Sequence, residues 1–233
     1  MKMLGIDDAG RGPVLGPMIL AGILIDETDE EKLRNWNVKD SKKLTPIKRE
    51  GIREKLVKNY SFAEEITTAE EIDSSTLAGT NLNQLEAIKS ANIINHLVSE
   101  TDEKEKIKVV IDCPSVNLKS WQAYLEEHIK KEVLEKIELF VEHKADVNHI
   151  SCAAGSILAK TTRDEEVKKI KELVAEEIGK NVEIGSGYPS DATTINFIEK
   201  HYEEIKDLRI VRESWATFKN IMAKKEQKGL AEF

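Results

Sequence analysis

The sequence has few cysteines and few aromatic residues, and its apolar runs are short. Only two of the 233 residues are cysteine, Cys113 and Cys152, and they form no C-x-x-C motif. This scarcity argues against a disulfide scaffold or a cysteine zinc site. No apolar run reaches the ~20 residues that a membrane-spanning helix needs, and no signal peptide opens the chain. We therefore expect a cytoplasmic protein with two reduced thiols and no membrane partner.

The glycine motifs of nucleotide-binding proteins are also missing. Gly10, Gly12 and Gly16 follow an apolar stretch, but their spacing is G-x-G-x-x-x-G and the next segment is strand-like. Neither feature fits a dinucleotide site, and the chain has no G-x-x-x-x-G-K-[ST] loop. The glycines around Arg11 would instead let backbone amides approach a ligand, with the guanidinium available for a phosphate. A tight turn with a solvated arginine is the alternative.

Acidic residues outnumber basic ones by 43 to 35, which gives a formal net charge of −8 at pH 7. Hydrophobic residues make up 40% of the chain and charged residues 33%, a balance typical of a soluble globular protein with a sizeable core. The negative net charge argues only weakly against nucleic acid, because a local basic patch can still bind a phosphate backbone.

Hydrophobic patterning predicts strands and helices in alternation along most of the chain. Strands are indicated at residues 3–7, 18–26, 60–67, 108–113 and 137–143. Helices are indicated at residues 46–58, 81–100, 118–132, 149–179, 192–205 and 213–226. This order is typical of an α/β sheet protein with a helical C-terminal portion. We expect a main domain over residues 1–190 and a helical extension over residues 191–233.

Four aspartates lie where predicted elements begin or end. Asp7 and Asp8 end the first strand, Asp112 ends another apolar strand, and Asp146 precedes a long helix of small residues. Functional sites of open α/β sheets form at strand ends, so these carboxylates can meet at one edge. Grouped carboxylates suit Mg²⁺ or Mn²⁺, and two such ions ~4 Å apart can promote phosphodiester hydrolysis. A turn or helix-capping role for each aspartate is the alternative.

Seven motifs in this order resemble those of one enzyme family. They are GIDDAGRGPVLGPM (5–18), DSKKLT (40–45), VVIDC (109–113), HKAD (143–146), GSILAKTTRD (155–164), GSGYPSD (185–191) and RESWAT (212–217). Together they resemble ribonuclease HII in its archaeal form. The resemblance implies a ribonuclease H-like fold, in which helices flank a central mixed β-sheet and the C-terminal portion is helical.

The resemblance also implies an activity. It implies an endonuclease that hydrolyses RNA in RNA–DNA hybrids and cuts 5′ of ribonucleotides embedded in duplex DNA. Cleavage would leave a 3′-hydroxyl and a 5′-phosphate and would require Mg²⁺ or Mn²⁺, by two-metal-ion catalysis. Such an enzyme serves ribonucleotide removal in DNA repair and replication, and we expect it to be a monomer.

The family's catalytic metal ligands fall on Asp7, Asp8, Asp112 and Asp146. The family usually has glutamate at the position of Asp8, so one methylene is missing here, and the preferred metal or the rate is expected to differ. A second departure is Gly155, which stands where alanine is usual and is expected to loosen helix packing.

The family's substrate-binding residues fall on two further motifs. Its Gly-Arg-Gly motif, which senses the ribonucleotide 2′-hydroxyl largely through backbone contacts, falls on Gly10, Arg11 and Gly12. Its tyrosine, which stacks on the sugar at the RNA-to-DNA junction, falls on Tyr188. Lys42 and Lys160 lie in matching basic motifs and are expected to contact phosphates.

Two other functions remain open on the sequence. One is another metal-dependent nuclease or strand-transfer enzyme of the same fold, which cleavage of all-DNA duplexes would reveal. The other is a weakly active hybrid-binding protein, if the aspartate at position 8 impairs the metal site.

Overall fold

The structure, a computed structural model, describes residues 1–38, 44–102, 105–180 and 182–231. Within these residues five strands form one sheet in the order β3-β2-β1-β4-β5. Their bounds are β1 Lys2–Ala9, β2 Met18–Asp26, β3 Ser61–Thr67, β4 Ile107–Asp112 and β5 Ile137–Glu142. Strand β1 pairs antiparallel with β2 and parallel with β4, which also pairs parallel with β5. The sheet is therefore mixed, as predicted.

Ten α-helices precede, separate and follow these strands along the described part of the chain. They are α1 Glu30–Asn35, α2 Pro46–Asn59, α3 Ala69–Leu77, α4 Leu82–Ser99, α5 Leu118–Glu126, α6 Lys131–Leu134, α7 Ala145–Asn148, α8 Ile150–Ile178, α9 Ala192–Ile205 and α10 Ala216–Ala231. No helix among them is long and apolar enough to cross a membrane.

Most predicted elements are confirmed to within a few residues, with four differences. The helix predicted over residues 118–132 is wrong as one element, because the chain turns between α5 and α6. Helices α1, α3 and α7 were not predicted. The first two are short and rich in acidic residues, and α7 has four residues. The start of α2 agrees with its sequence signals: Pro46 is the first helical residue, and the Thr45 hydroxyl accepts the Lys48 N–H.

The chain divides into two compact units. Unit 1 comprises Met1–Ala9, Ile19–Ile66 and Asn81–Thr162, and it contains nearly all of the sheet. Unit 2 comprises Gly10–Met18, Thr67–Thr80 and Arg163–Phe233. Each unit has its own buried apolar cluster, and Phe197 and Ile198 of α9 belong to that of unit 2. The proposed division at residue 190 stays a prediction.

Helix α8 packs directly on strand β1 in unit 1. A Cβ atom built on Gly5 of β1 would lie 2.1 Å from the carbonyl carbon of Ser151 in α8, which no real contact allows. A Cβ atom on Gly155 would lie 2.9 Å from the carbonyl oxygen of Ala21. The expectation that Gly155 loosens this helix is therefore wrong, because the missing side chain lets α8 approach the sheet closely.

Candidate metal centre

Strand β1 presents its two aspartates to opposite faces of the sheet. Successive side chains of a strand alternate, so Asp7 and Asp8 cannot point the same way. Asp7 lies on the face that packs against α8 and is 7% exposed, whereas Asp8 is half-buried. The Asp8 N–H donates a hydrogen bond of 2.8 Å to Asp7 Oδ1. Although Asp7 and Asp8 are adjacent in sequence, their carboxylates therefore lie in different surroundings.

Asp112 and Asp146 are brought together by the turn that follows β5. Asp112 is the last residue of β4, and its Oδ1 accepts the Lys144 N–H at 2.7 Å. Lys144 is left-handed, with φ 59°, and it leads directly into α7, where Asp146 is buried. The Lys144 turn therefore directs the short helix α7 toward the end of β4.

Three of the four predicted carboxylates form one cluster. One carboxylate oxygen from each of Asp7, Asp112 and Asp146 lies within 4.8 Å of the others. Metal–oxygen distances of ~2 Å allow three such oxygens to share one cation. Among the described residues Asp8 is not part of this cluster, because strand alternation turns its side chain to the other face.

The electrostatics of Asp7 favour a cation at this point. Burial, then the carboxylates of Asp8 and Asp112, raise the pKa of Asp7 to about 7, while hydrogen bonds from Ser156 and the Asp8 backbone oppose the rise. A divalent cation would offset both the burial and the repulsion. Three hard oxygen donors, without a thiol or paired imidazoles among them, fit Mg²⁺ or Mn²⁺.

Helix α8 supplies a hydrogen-bond chain to Asp7 that the sequence did not reveal. The Lys160 ammonium donates to Ser156 Oγ at 2.7 Å, and the Ser156 side chain hydrogen-bonds to Asp7. Residues four apart lie on one helix face, so the i,i+4 spacing of Ser156 and Lys160 explains their contact. This spacing is the feature of the sequence that could have predicted the contact. Lys160 thereby lies one side chain away from the carboxylate cluster.

In unit 2 the Gly-Arg-Gly segment is fixed by a buried arginine. Gly10 has φ 83°, a conformation that favours glycine. The fully buried Arg212 guanidinium donates to the carbonyl oxygens of Gly10, Arg11 and Gly16. Because three carbonyls point to Arg212, the backbone of the segment has a defined course. Arg212 was not identified as functional from the sequence, although RESWAT contains it.

Tyr188 lies against the same glycine segment within unit 2. A Cβ atom on Gly12 would lie 3.4 Å from Tyr188 Cε1, so the glycine backbone contacts the ring edge. The Arg163 guanidinium carbon is 5.3 Å from the centroid of the Tyr188 ring, and 39% of Tyr188 is exposed. Unit 2 thus combines an accessible aromatic ring with an exposed glycine backbone.

The loop that carries Tyr188 is closed by Asp191. The Ser186 N–H and the Ser186 hydroxyl both donate to Asp191 Oδ2 at 2.7 Å. These two bonds, with weaker backbone ones, lower the pKa of Asp191 to about 2. The loop is therefore held by a carboxylate that stays ionised at every ordinary pH.

The sequence matches the family described as Ribonuclease HII over residues 4–218. The chain belongs to the ribonuclease HII family. It is 38% identical to the ribonuclease HII of Methanococcus maripaludis strain C6, over 97% of this chain and 89% of that protein. It is 41% identical to the ribonuclease HII of Thermococcus sibiricus, over 100% of this chain and 98% of that protein.

Solved structures of the family share the fold. The ribonuclease H2 of Pyrococcus horikoshii OT3 superposes with a TM-score of 0.81 at 35% identity, over 97% of this chain and 99% of that one. The RNase HII of Archaeoglobus fulgidus, solved in a complex with PCNA, superposes with a TM-score of 0.76 at 31% identity. The match covers 92% of this chain and 95% of that one. The ribonuclease H-like fold and the RNase H endoribonuclease class are thereby confirmed.

Family membership supports a metal-binding role for the acidic cluster. Ribonuclease HII enzymes are metal-dependent, and the carboxylates of Asp7, Asp112 and Asp146 fit that requirement. Lys42, a predicted phosphate contact, lies outside the described residues. The roles of Asp8, the Gly-Arg-Gly segment, Tyr188 and Lys160 remain predictions.

Proposed function

We propose that this ribonuclease HII hydrolyses RNA in RNA–DNA hybrids and cuts 5′ of ribonucleotides embedded in duplex DNA. Cleavage leaves a 3′-hydroxyl and a 5′-phosphate. The observation that carries the proposal is the carboxylate cluster of Asp7 in β1, Asp112 at the end of β4 and Asp146 in α7, whose oxygens lie within 4.8 Å of one another. A cation site of this kind suits phosphodiester hydrolysis.

Asp7, Asp112 and Asp146 would hold a divalent cation, Mg²⁺ or Mn²⁺, and Asp8 would contribute to a second one. Divalent cations bound there supply an activated water and stabilise the charge of the leaving oxygen. A cation held there would lower the pKa of Asp7, which is about 7, and would so favour the ionised carboxylate near neutral pH.

The chain's own residues orient the reacting groups. Ser156 donates to Asp7, and Lys160 fixes the Ser156 hydroxyl, so the carboxylate is presented in one orientation. Asp112 is oriented in the same way by the Lys144 N–H. Such preorganisation matters because an error of ~1 Å in position can cost ~100-fold in rate.

Recognition of the ribonucleotide is assigned to unit 2. The exposed backbone of Gly12 can approach a sugar closely, and backbone groups of Gly10, Arg11 and Gly12 can hydrogen-bond to a 2′-hydroxyl, which distinguishes RNA from DNA. The ring of Tyr188 offers a surface on which a sugar can stack. Lys42 and Lys160 would add phosphate contacts, which supply much of the affinity for a duplex.

A panel of three labelled duplexes tests the proposal. They are an RNA–DNA hybrid, a DNA duplex with one ribonucleotide, and an all-DNA duplex, each with Mg²⁺ or Mn²⁺. We expect cutting of the first two, with a single product 5′ of the ribonucleotide in the second. Cutting of the all-DNA duplex would indicate a different nuclease, and binding without cutting would indicate a hybrid-binding protein. Cutting of the second duplex is the activity that ribonucleotide removal during repair and replication would require.

A further inference from the structure

Helix α4 buries two polar side chains in the face that packs on the sheet. Glu86 is 2% exposed and Ser90 is 1% exposed, and they lie four residues apart on one helix face. The next turns of this face carry Ile93 and Leu97, which are buried and apolar. An acid in such a stripe is costly unless something compensates its charge. The sequence therefore departs from an apolar pattern at one end of α4.

Glu86 and Ser90 lie on the same side of the sheet as Asp8. A Cβ atom on Gly22 of β2 would contact Ile93 of α4, and also Ile6 and Leu4 of β1. The even-numbered residues of β1 therefore face α4, and by strand alternation Asp8 does too.

A small cavity lies at this point, and four acidic side chains line it. Asp7, Asp8, Glu86, Ser90 and Asp112 are among the residues around it. The centre of a water-sized group has about 10 Å³ of room there, enough for one water molecule or ion and too little for an organic ligand. Asp7 and Asp112 connect this cavity to Asp146, the third member of the carboxylate cluster.

Ser90 gives a second, independent sign of a bound species. Its Oγ atom is buried and has no hydrogen-bond partner among the residues that the structure describes. A buried hydroxyl usually has a partner, and leaving one unsatisfied is unfavourable. Since Ser90 lines the cavity, a cation placed there would supply the partner by binding the hydroxyl oxygen directly.

We propose that Glu86 is a further metal-binding carboxylate of this centre, acting with Asp8 on the α4 side of β1. The proposal rests on the proposed function and extends it, because it assigns a residue to the second cation. Four acidic side chains around one small cavity repel one another, and a divalent cation in the cavity would offset that repulsion. Ser90 would add its hydroxyl oxygen to the same cation.

Mn²⁺ binding to the substrate-free protein tests the proposal directly. Glu86→Gln keeps the side-chain shape and removes the charge. Glu100→Gln, at the exposed end of the same helix, is the matched control. Titration calorimetry and the electron paramagnetic resonance signal of free Mn²⁺ give the number of ions and their affinities. We expect Glu86→Gln to weaken one ion at least tenfold, or to lose it, and Glu100→Gln to stay within twofold of the unsubstituted protein.

Thermal unfolding with and without Mn²⁺ separates this role from a packing role. We expect Mn²⁺ to raise the unfolding midpoint less in Glu86→Gln than in the control. Unchanged Mn²⁺ affinity and stoichiometry in Glu86→Gln, with a lower midpoint in EDTA, would overturn the proposal and leave Glu86 as a packing residue.

If Glu86→Gln does not fold, Ser90→Ala decides, since it removes one hydroxyl from the same cavity. We expect about threefold weaker binding of one Mn²⁺ ion, and unchanged binding would overturn the proposal. Cleavage is measured separately with the unsubstituted protein. Metal binding that depends on Glu86 without cutting of any hybrid would refute the proposed function and leave this inference standing.

Discussion

The guanidinium of Arg212 donates a hydrogen bond of 2.6 Å to the carbonyl oxygen of Gly10. Its other nitrogens reach the carbonyl oxygens of Arg11 at 2.8 Å and Gly16 at 3.0 Å, and the side chain is fully buried. One side chain near the C-terminal end of the chain thus sets the backbone course of the Gly-Arg-Gly segment within unit 2. Substrate recognition by that segment would then depend on a residue that need not touch the substrate.

Arg212→Lys is expected to weaken both stability and recognition. A lysine ammonium cannot reach three carbonyls in the geometry of a planar fork, so buried acceptors lose their donors. We expect the free energy of unfolding to fall by ~2–4 kcal/mol. We also expect the preference for a ribonucleotide-containing duplex over the hybrid to change, because the glycine backbone shifts.

The control is Arg34→Lys, because Arg34 is exposed and pairs with Glu30 across one helical turn. Chemical denaturation and initial rates on the two substrates give the comparison. Equal stability and equal rates in Arg212→Lys and Arg34→Lys would contradict the role assigned to Arg212.

The raised pKa of Asp7 predicts how stability depends on pH in the absence of metal. The folded state retains the Asp7 proton up to about pH 7, whereas the unfolded state loses it near the ordinary value of 3.8. Between these values the folded state binds more protons, so this group's contribution to stability falls as pH rises from about 4 to 7. Above pH 7 the contribution is constant.

Denaturation in EDTA at pH 5 and pH 8 measures this effect, with Asp7→Asn as the reference. The variant removes the titration, so we expect its stability relative to the unsubstituted protein to increase by ~2 kcal/mol or more between the two pH values. A stability difference that does not change with pH would show that Asp7 titrates normally.

The aspartate at position 8 predicts a metal preference. The family resemblance implies a glutamate at this position, and a shorter acid would leave a bound cation slightly displaced. Mg²⁺ demands near-ideal octahedral geometry, so a displaced position penalises it. Mn²⁺ tolerates irregular coordination better. We expect faster cleavage with Mn²⁺ than with Mg²⁺, and we expect Asp8→Glu to narrow the gap by accelerating the Mg²⁺ reaction.

Initial rates on a duplex with one ribonucleotide, for both proteins and both metals, give the answer. A slower Mg²⁺ reaction in Asp8→Glu would mean that the surroundings of position 8, Glu86 among them, are already fitted to aspartate.

The sequence predicts where a strand ends better than it predicts which side chains from different elements come into contact. Asp112 was placed correctly because a short apolar run stops at it. The approach of Asp146 depends on the left-handed conformation of Lys144, a non-glycine residue for which the local sequence gives no clear turn signal. Strand β1 is buried on both faces, so its residues show no alternation that would separate Asp7 from Asp8.

The supporting polar residues were missed for a related physical reason. Ser156 lies in a helix among buried residues, and its partner Asp7 comes from a strand distant in sequence. Periodicity identifies which helix face is buried but does not say which polar residue in that face has a function. The seven family motifs were needed to connect these elements to one chemistry.

The most direct test of the account is the effect of Asp112→Asn on a hybrid duplex. The amide keeps the shape of the side chain and removes a charge from the cluster, while affinity for the duplex comes mostly from phosphate contacts. Cleavage rate with saturating Mg²⁺ or Mn²⁺ and hybrid affinity in the absence of cleavage are measured for both proteins. The account predicts at least a 1,000-fold lower rate, by order of magnitude, with affinity within about threefold. Cleavage by Asp112→Asn at a rate near that of the unsubstituted protein would contradict the assignment of the carboxylate cluster as the catalytic metal centre.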